Sequence, residues 1–68
     1  KVMLLYNFTE EDKTGLVVEI YNTVGLKIMS IEPTRFPIEL REIKTSGSYV
    51  VRIVTGTGKV LTAKLVIM

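Results

Sequence analysis

The chain has 68 residues, nine basic and seven acidic side chains, a net charge of +2, and neither cysteine nor histidine. That length allows one small domain, held by packing or by a partner, because disulfides and any ordinary zinc site are excluded. The same two absences remove the usual nucleophile–base pairs of hydrolases, and the mild, interleaved charge lacks the dense basic face of a nucleic-acid binder.

Strand signals follow one another along the chain. The opening KVMLLYNF is rich in β-formers and stops at Glu10-Glu11-Asp12-Lys13, read as a solvated turn. In GLVVEIYN, Leu16, Val18 and Ile20 alternate with Val17, Glu19 and Tyr21. Glu19 marks the wet face, so the first set is expected in the core. A tight turn at Thr23-Val24-Gly25 uses the freedom of Gly25 to take positive φ. LKIMSI then returns as the second arm of a hairpin, with Leu26 and Ile28 expected inward and Lys27 outward.

Pro33 breaks the pattern, and RFPIELRE resumes it, alternating Phe36, Ile38 and Leu40 with Pro37, Glu39 and Arg41. Pro37 has no N–H to donate, which predicts a short strand at a sheet edge. EIKTSGS is a polar connection with one apolar anchor, Ile43. YVVRIV sets Tyr49, Val51 and Ile53 against Val50, Arg52 and Val54. After the turn TGTG, KVLTAKLVIM places Leu61, Ala63, Leu65 and Ile67 inward and Lys59, Thr62 and Lys64 outward.

Six strand candidates at short spacing, with no helix predicted, read as an all-β fold: a small immunoglobulin-like antiparallel β-sandwich of six to seven strands, one domain over residues 1–68. Tyr49 points the same way. It opens the penultimate strand after the corner Ser46-Gly47-Ser48, where immunoglobulin-like domains often place a tyrosine whose hydroxyl bonds back to the corner. A plain core aromatic is the other reading, and in both Tyr49 is architectural.

Catalytic chemistry finds no residues. Asp12 is the sole aspartate and lies in a turn, while Glu19 and Glu39 fall on outward faces. The Gly56–Lys59 stretch GTGK is similar to the end of a phosphate-binding loop but lacks its glycine spacing, its following Ser or Thr and its helix, so it reads as a hairpin turn. Lys27, Arg52, Lys59 and Lys64 read as a solvated face. No enzyme activity, cofactor or metal is expected. No stretch approaches the roughly 20 apolar residues of a spanning helix, and Val2–Leu5 is too short for a secretory leader. The start on KVMLLY reads as a piece of a larger precursor.

Three segments carry a resemblance: VVEIYNTVGLKIM at Val17 to Met29, PIELREIKTSGSYVVRI at Pro37 to Ile53, and GKVLTAKLVIM at Gly58 to Met68. In this order and spacing they resemble the C-terminal sorting domain of the bacterial type IX secretion system, the Por secretion tail family of the Bacteroidetes. The positions matching its pattern are Gly47, Tyr49, Arg52, Gly58 and Lys64, with the closing Leu65, Val66, Ile67 and Met68. The chain departs from the family in lacking an Asn-Pro element near its start. It also has Leu26 after the hairpin glycine, where the family often has a cation. An immunoglobulin-like domain of flagellar hook-assembly proteins shares a similar pattern.

The resemblance implies a C-terminal secretion signal read by outer-membrane translocation machinery, passing through the periplasm to the cell surface or the medium, with cargo attached to surface lipopolysaccharide in many members. It implies no nucleic acid and no direct membrane insertion. An apolar terminal strand also leaves a sheet edge for strand addition by a partner, or for a homodimer by edge pairing or strand exchange. Two alternatives stay open. One is a structural or adhesive immunoglobulin-like module of a larger surface protein. The other is a small nucleic-acid-binding barrel, which needs exposed aromatics, with Tyr6 and Tyr21 as candidates.

Overall fold

A computed structural model describes residues 2–4, 7–40, 43 and 45–68. Its elements are β1 (Val2–Leu4), α1 (Glu10–Lys13), β2 (Val17–Tyr21), β3 (Lys27–Ile31), β4 (Ile38–Leu40), β5 (Gly47–Val54) and β6 (Val60–Ile67). The fold is mostly β. Four strands form an antiparallel sheet in the order β3-β2-β5-β6, and β1 pairs with β4 in a second, two-stranded antiparallel sheet. Tyr6 and Arg41, read above as exposed and outward, lie outside the described residues.

Alternation drives the core. Leu16, Val18 and Ile20 around β2, Ile38 and Leu40 from β4, and Tyr49, Val51 and Ile53 from β5 make one buried cluster. Phe36, Leu61, Leu65 and Ile67 pack partly buried against it, as their spacing predicts, and so does Ile43, the apolar anchor of the connection before β5. Burial of one such aliphatic side chain contributes about 1.5–3 kcal/mol. As expected after Pro37, β4 is only three residues long.

Two turns share one design. Gly25 N–H donates to Asn22 C=O and Asn22 N–H to Leu26 C=O; Gly58 N–H donates to Thr55 C=O and Thr55 N–H to Lys59 C=O. Each is a three-residue loop whose last position needs left-handed backbone, and Gly25 and Gly58 supply it at φ 86° and 90°. The residue opening each loop also caps it by side chain: Asn22 Oδ1 accepts from Val24 and Leu26 N–H, and Thr55 Oγ1 from Lys59 N–H.

Two expectations are corrected. Leu26 and Ile28 do not face the core; they are 63% and 46% exposed, and Met29 and Ile31 pack inward instead. For Ile28 the cause is a bulge; Leu26 comes before it and closes the turn, its C=O accepting from Asn22 N–H at the end of the hairpin. Tyr21 pairs with Lys27 but Ile20 pairs with Met29, leaving Ile28 as an extra residue. One inserted residue turns every later side chain of β3 to the other face.

The second correction concerns Glu10–Lys13, which forms a single helical turn, α1, instead of a solvated turn. Thr9 caps it: its Oγ1 accepts from Asp12 N–H at 3.1 Å, and its own N–H donates to Asp12 Oδ2 at 3.2 Å. Asp12 is thereby drawn in to 2% exposure.

Candidate functional site

The β5–β6 hairpin gathers most of the sequence-predicted signal positions at one end. Its register sets Gly47 against Ile67, Tyr49 against Leu65 and Val50 against Lys64, with Val66 opposite Ser48 and Met68 just beyond the strand. Two remain apart. Arg52 lies mid-strand opposite Thr62, and Gly58 sits in the turn at the far end. Residues distant in sequence thus become one patch because an unbroken antiparallel ladder folds 47–54 back onto 60–67.

Inside that patch, Tyr49 is buried, and its hydroxyl donates to the Thr45 carbonyl at 2.6 Å, closing the corner before β5, while Val51, two residues on, is 1% exposed. Beside it, Tyr49, Val50, Thr62 and Lys64 help line an open groove of about 250 Å³ with mainly apolar walls. Of this lining Val50, Thr62 and Lys64 are exposed on the solvent face of the two strands, which Val66 shares.

Arg52 is engaged internally. Its guanidinium Nη1 donates to Glu19 Oε1 at 2.9 Å across the directly opposed β2–β5 pair. Glu19 also accepts from the Tyr21 hydroxyl at 3.1 Å and from Lys27 Nζ at 3.5 Å. Burial alone would push the Glu19 carboxyl up, but the hydrogen bonds from Arg52 and Tyr21 and the charge of Lys27 win and hold it below its ordinary value. Three members of the predicted basic face therefore sit opposite carboxylates: Lys27 and Arg52 at Glu19, and Lys59 at Asp12, 3.6 Å away.

Asp12 is the residue sequence reasoning missed. Its Oδ1 accepts from Thr57 Oγ1, its Oδ2 from Thr9 N–H, and its main-chain carbonyl from Gly56 N–H at 2.8 Å. Since the Thr57 proton goes to Asp12, Thr55 Oγ1 donates onward to Thr57 Oγ1 at 3.1 Å. The hydrogen bond from Thr57 is the main cause of an Asp12 pKa of about 2, down from 3.8, with the Thr9 N–H bond second and burial opposing both. The contact is close enough that a Cβ on Gly56 would collide with the carbonyl oxygens of Thr14 and Glu11. The spacing Thr9-x-x-Asp12, a capping-box pattern, was the available sequence signal for α1. Nothing local announced the partner at position 57.

The backbone of β6 completes the site. Thr55 N–H bonds Lys59 C=O, and the register runs unshifted from Val54↔Val60 to Gly47↔Ile67. Bonded pairs alternate in an antiparallel ladder, so Leu61, Ala63, Leu65 and Ile67 spend their backbone groups on β5. Val60, Thr62, Lys64 and Val66 turn theirs outward, and among the described residues β6 has no second neighbour. Eight residues of strand thus offer an open edge able to accept another strand. Among the described residues no group of His, Cys, Asp or Glu is arranged to hold a metal ion, and no helix is long and apolar enough to cross a membrane. Comparison with family models, with curated proteins and with solved structures finds no match to this chain.

Proposed function

We propose that the chain is an immunoglobulin-like sorting module whose β5–β6 hairpin is read by type IX outer-membrane translocation machinery, sending an attached cargo to the cell surface or the medium. The observation that carries this is the position of β6: it is the edge strand of the four-stranded sheet, and the pattern positions Gly47, Tyr49 and Lys64 to Met68 meet along it. Edge strands are usually blunted against pairing, and this one keeps four consecutive outward-turned backbone pairs free of bulges. Strand addition by a machinery protein fits that geometry, with the apolar groove beside Tyr49 taking a side chain of the added strand. The strand order β3-β2-β5-β6 with β1-β4, and the Tyr49–Thr45 bond at the start of β5, support an immunoglobulin-like sandwich.

A second reading has its own support. Tyr49 and Arg52 are both held by internal bonds, which suits a purely structural or adhesive immunoglobulin-like module. An export assay separates the two. The chain is fused to the C-terminus of a passive periplasmic reporter in a bacterium with a type IX system and in a strain lacking its translocon. The sorting reading expects reporter outside the cell only in the first strain. Reporter retained in the periplasm of both, with the fusion folded, contradicts it and leaves the structural module. Undiminished export after deleting Leu65–Met68 would place the signal elsewhere in the chain.

A further inference from the structure

We infer that β6 is a self-association surface: two copies of the chain pair antiparallel through their β6 edges, joining their four-stranded sheets into one of eight strands. Of the described edges, β6 is the least protected. β1 and β4 are three residues long, and β3 is five residues long with a bulge at Ile28 and Pro33 two residues past its end. β6 runs eight residues without irregularity.

The occupant follows from the order of residues on that edge. Only Val60, Thr62, Lys64 and Val66 present backbone N–H and C=O outward, so bonded pairs between two copies must join these even positions. A two-fold axis at Ala63 uses all four. It sets Val60 against Val66 and Thr62 against Lys64 of the second copy on the solvent face, and Leu61 against Leu65 on the core face.

Val60 and Val66 are exposed large apolar side chains in the single chain, and this register covers both with each other. Shifting the axis to Lys64 opposes two lysines, which is unfavourable. Shifting it to Thr62 sets Val60 against Lys64 and takes Val66 out of the pairing. The sole charge within the strand, Lys64, which alone would deter pairing, thus selects one register.

This inference stands apart from the secretion reading and survives a failed export assay. Where both hold, self-pairing and strand addition by a partner compete for the same backbone groups.

Sedimentation velocity of the chain over concentrations up to millimolar tests it, with three substitutions at Thr62. Thr62→Pro removes an outward N–H that β5 does not use, so the fold is kept while the edge is blocked. Thr62→Glu brings an acid opposite Lys64 of the second copy, and Thr62→Lys brings a like charge. Each changes two cross-strand pairs at once.

The expected result is a concentration-dependent dimer, tightened about 3- to 10-fold by Thr62→Glu, weakened about as much by Thr62→Lys, and abolished by Thr62→Pro with an unchanged circular-dichroism spectrum. If the proline variant loses its native spectrum, the two charged variants decide alone. A monomer at every concentration overturns the inference. So does a dimer that survives Thr62→Pro. Equal weakening by both charged variants, the result for Thr62 facing Thr62, overturns the register.

Discussion

At 2% exposure, with Thr9, Thr57 and Lys59 around it, the Asp12 carboxylate makes its charge part of the fold. Its pKa is about 2 in the folded chain against an ordinary 3.8. A lowered folded pKa contributes stability that is complete above about pH 4 and disappears as pH falls toward 2. Asp12→Asn should therefore be less stable than the parent chain at neutral pH, and the difference in urea midpoint should shrink steadily between pH 4 and pH 2. A difference constant across that range would mean that the charge is not what Thr57 and Thr9 hold.

Tyr49 gives a second test at this scale. Tyr49→Phe keeps the buried ring and loses only the bond to the Thr45 carbonyl, so it should cost about 1 kcal/mol in denaturant unfolding. These two residues differ in how readily the sequence disclosed them. Tyr49 stands beside its own corner, four residues from its acceptor, and its role was legible. The chief partner of Asp12 is 45 residues away, so a local reading saw only an acidic turn.

Among the elements, both hairpins were legible because Gly25 and Gly58 mark where the backbone must turn left-handed. The facing of β3 was not. Strict alternation from Gly25 puts Ile28 inside, and a single bulged residue reverses it. Ile28→Ser should change stability by no more than about 0.5 kcal/mol, whereas Met29→Ser, half-buried against the core, should cost about 1–2 kcal/mol. The opposite ranking in thermal or urea unfolding would place the bulge elsewhere.

The junction between α1 and the β5–β6 turn is a second element-scale feature that composition hides. Gly56 must be bare because the carbonyls of Thr14 and Glu11 occupy the space a Cβ needs. Gly56→Ala is expected to cost about 1–3 kcal/mol, the range of overpacking in a site that cannot relax freely. A neutral result would show that α1 moves away from the turn without loss.

On the scale of the whole molecule, six short strands with period-2 alternation foretold a β fold and the membership of its core: Val18, Ile20, Ile38, Leu40, Val51 and Ile53 are each at most 2% exposed. Strand order was not written in that pattern. β2 lies between β3 and β5 although β4 intervenes in sequence, and that non-local pairing leaves β6 at the rim. The signal positions were found by resemblance as separate stretches. Their meeting along one hairpin became visible only with the register, since it depends on 114 being the constant sum of paired numbers, as in Gly47 with Ile67 and Val54 with Val60.

Strand addition by a partner and self-pairing both require β6 to be an open edge, and residue-resolved amide hydrogen exchange on the chain, dilute enough to be monomeric, reads that directly. Slow exchange at Leu61, Ala63 and Leu65, alternating with fast exchange at Thr62, Lys64 and Val66, is the predicted result. Uniform protection along β6 in the monomer would mean that another strand already covers the edge, and would contradict both.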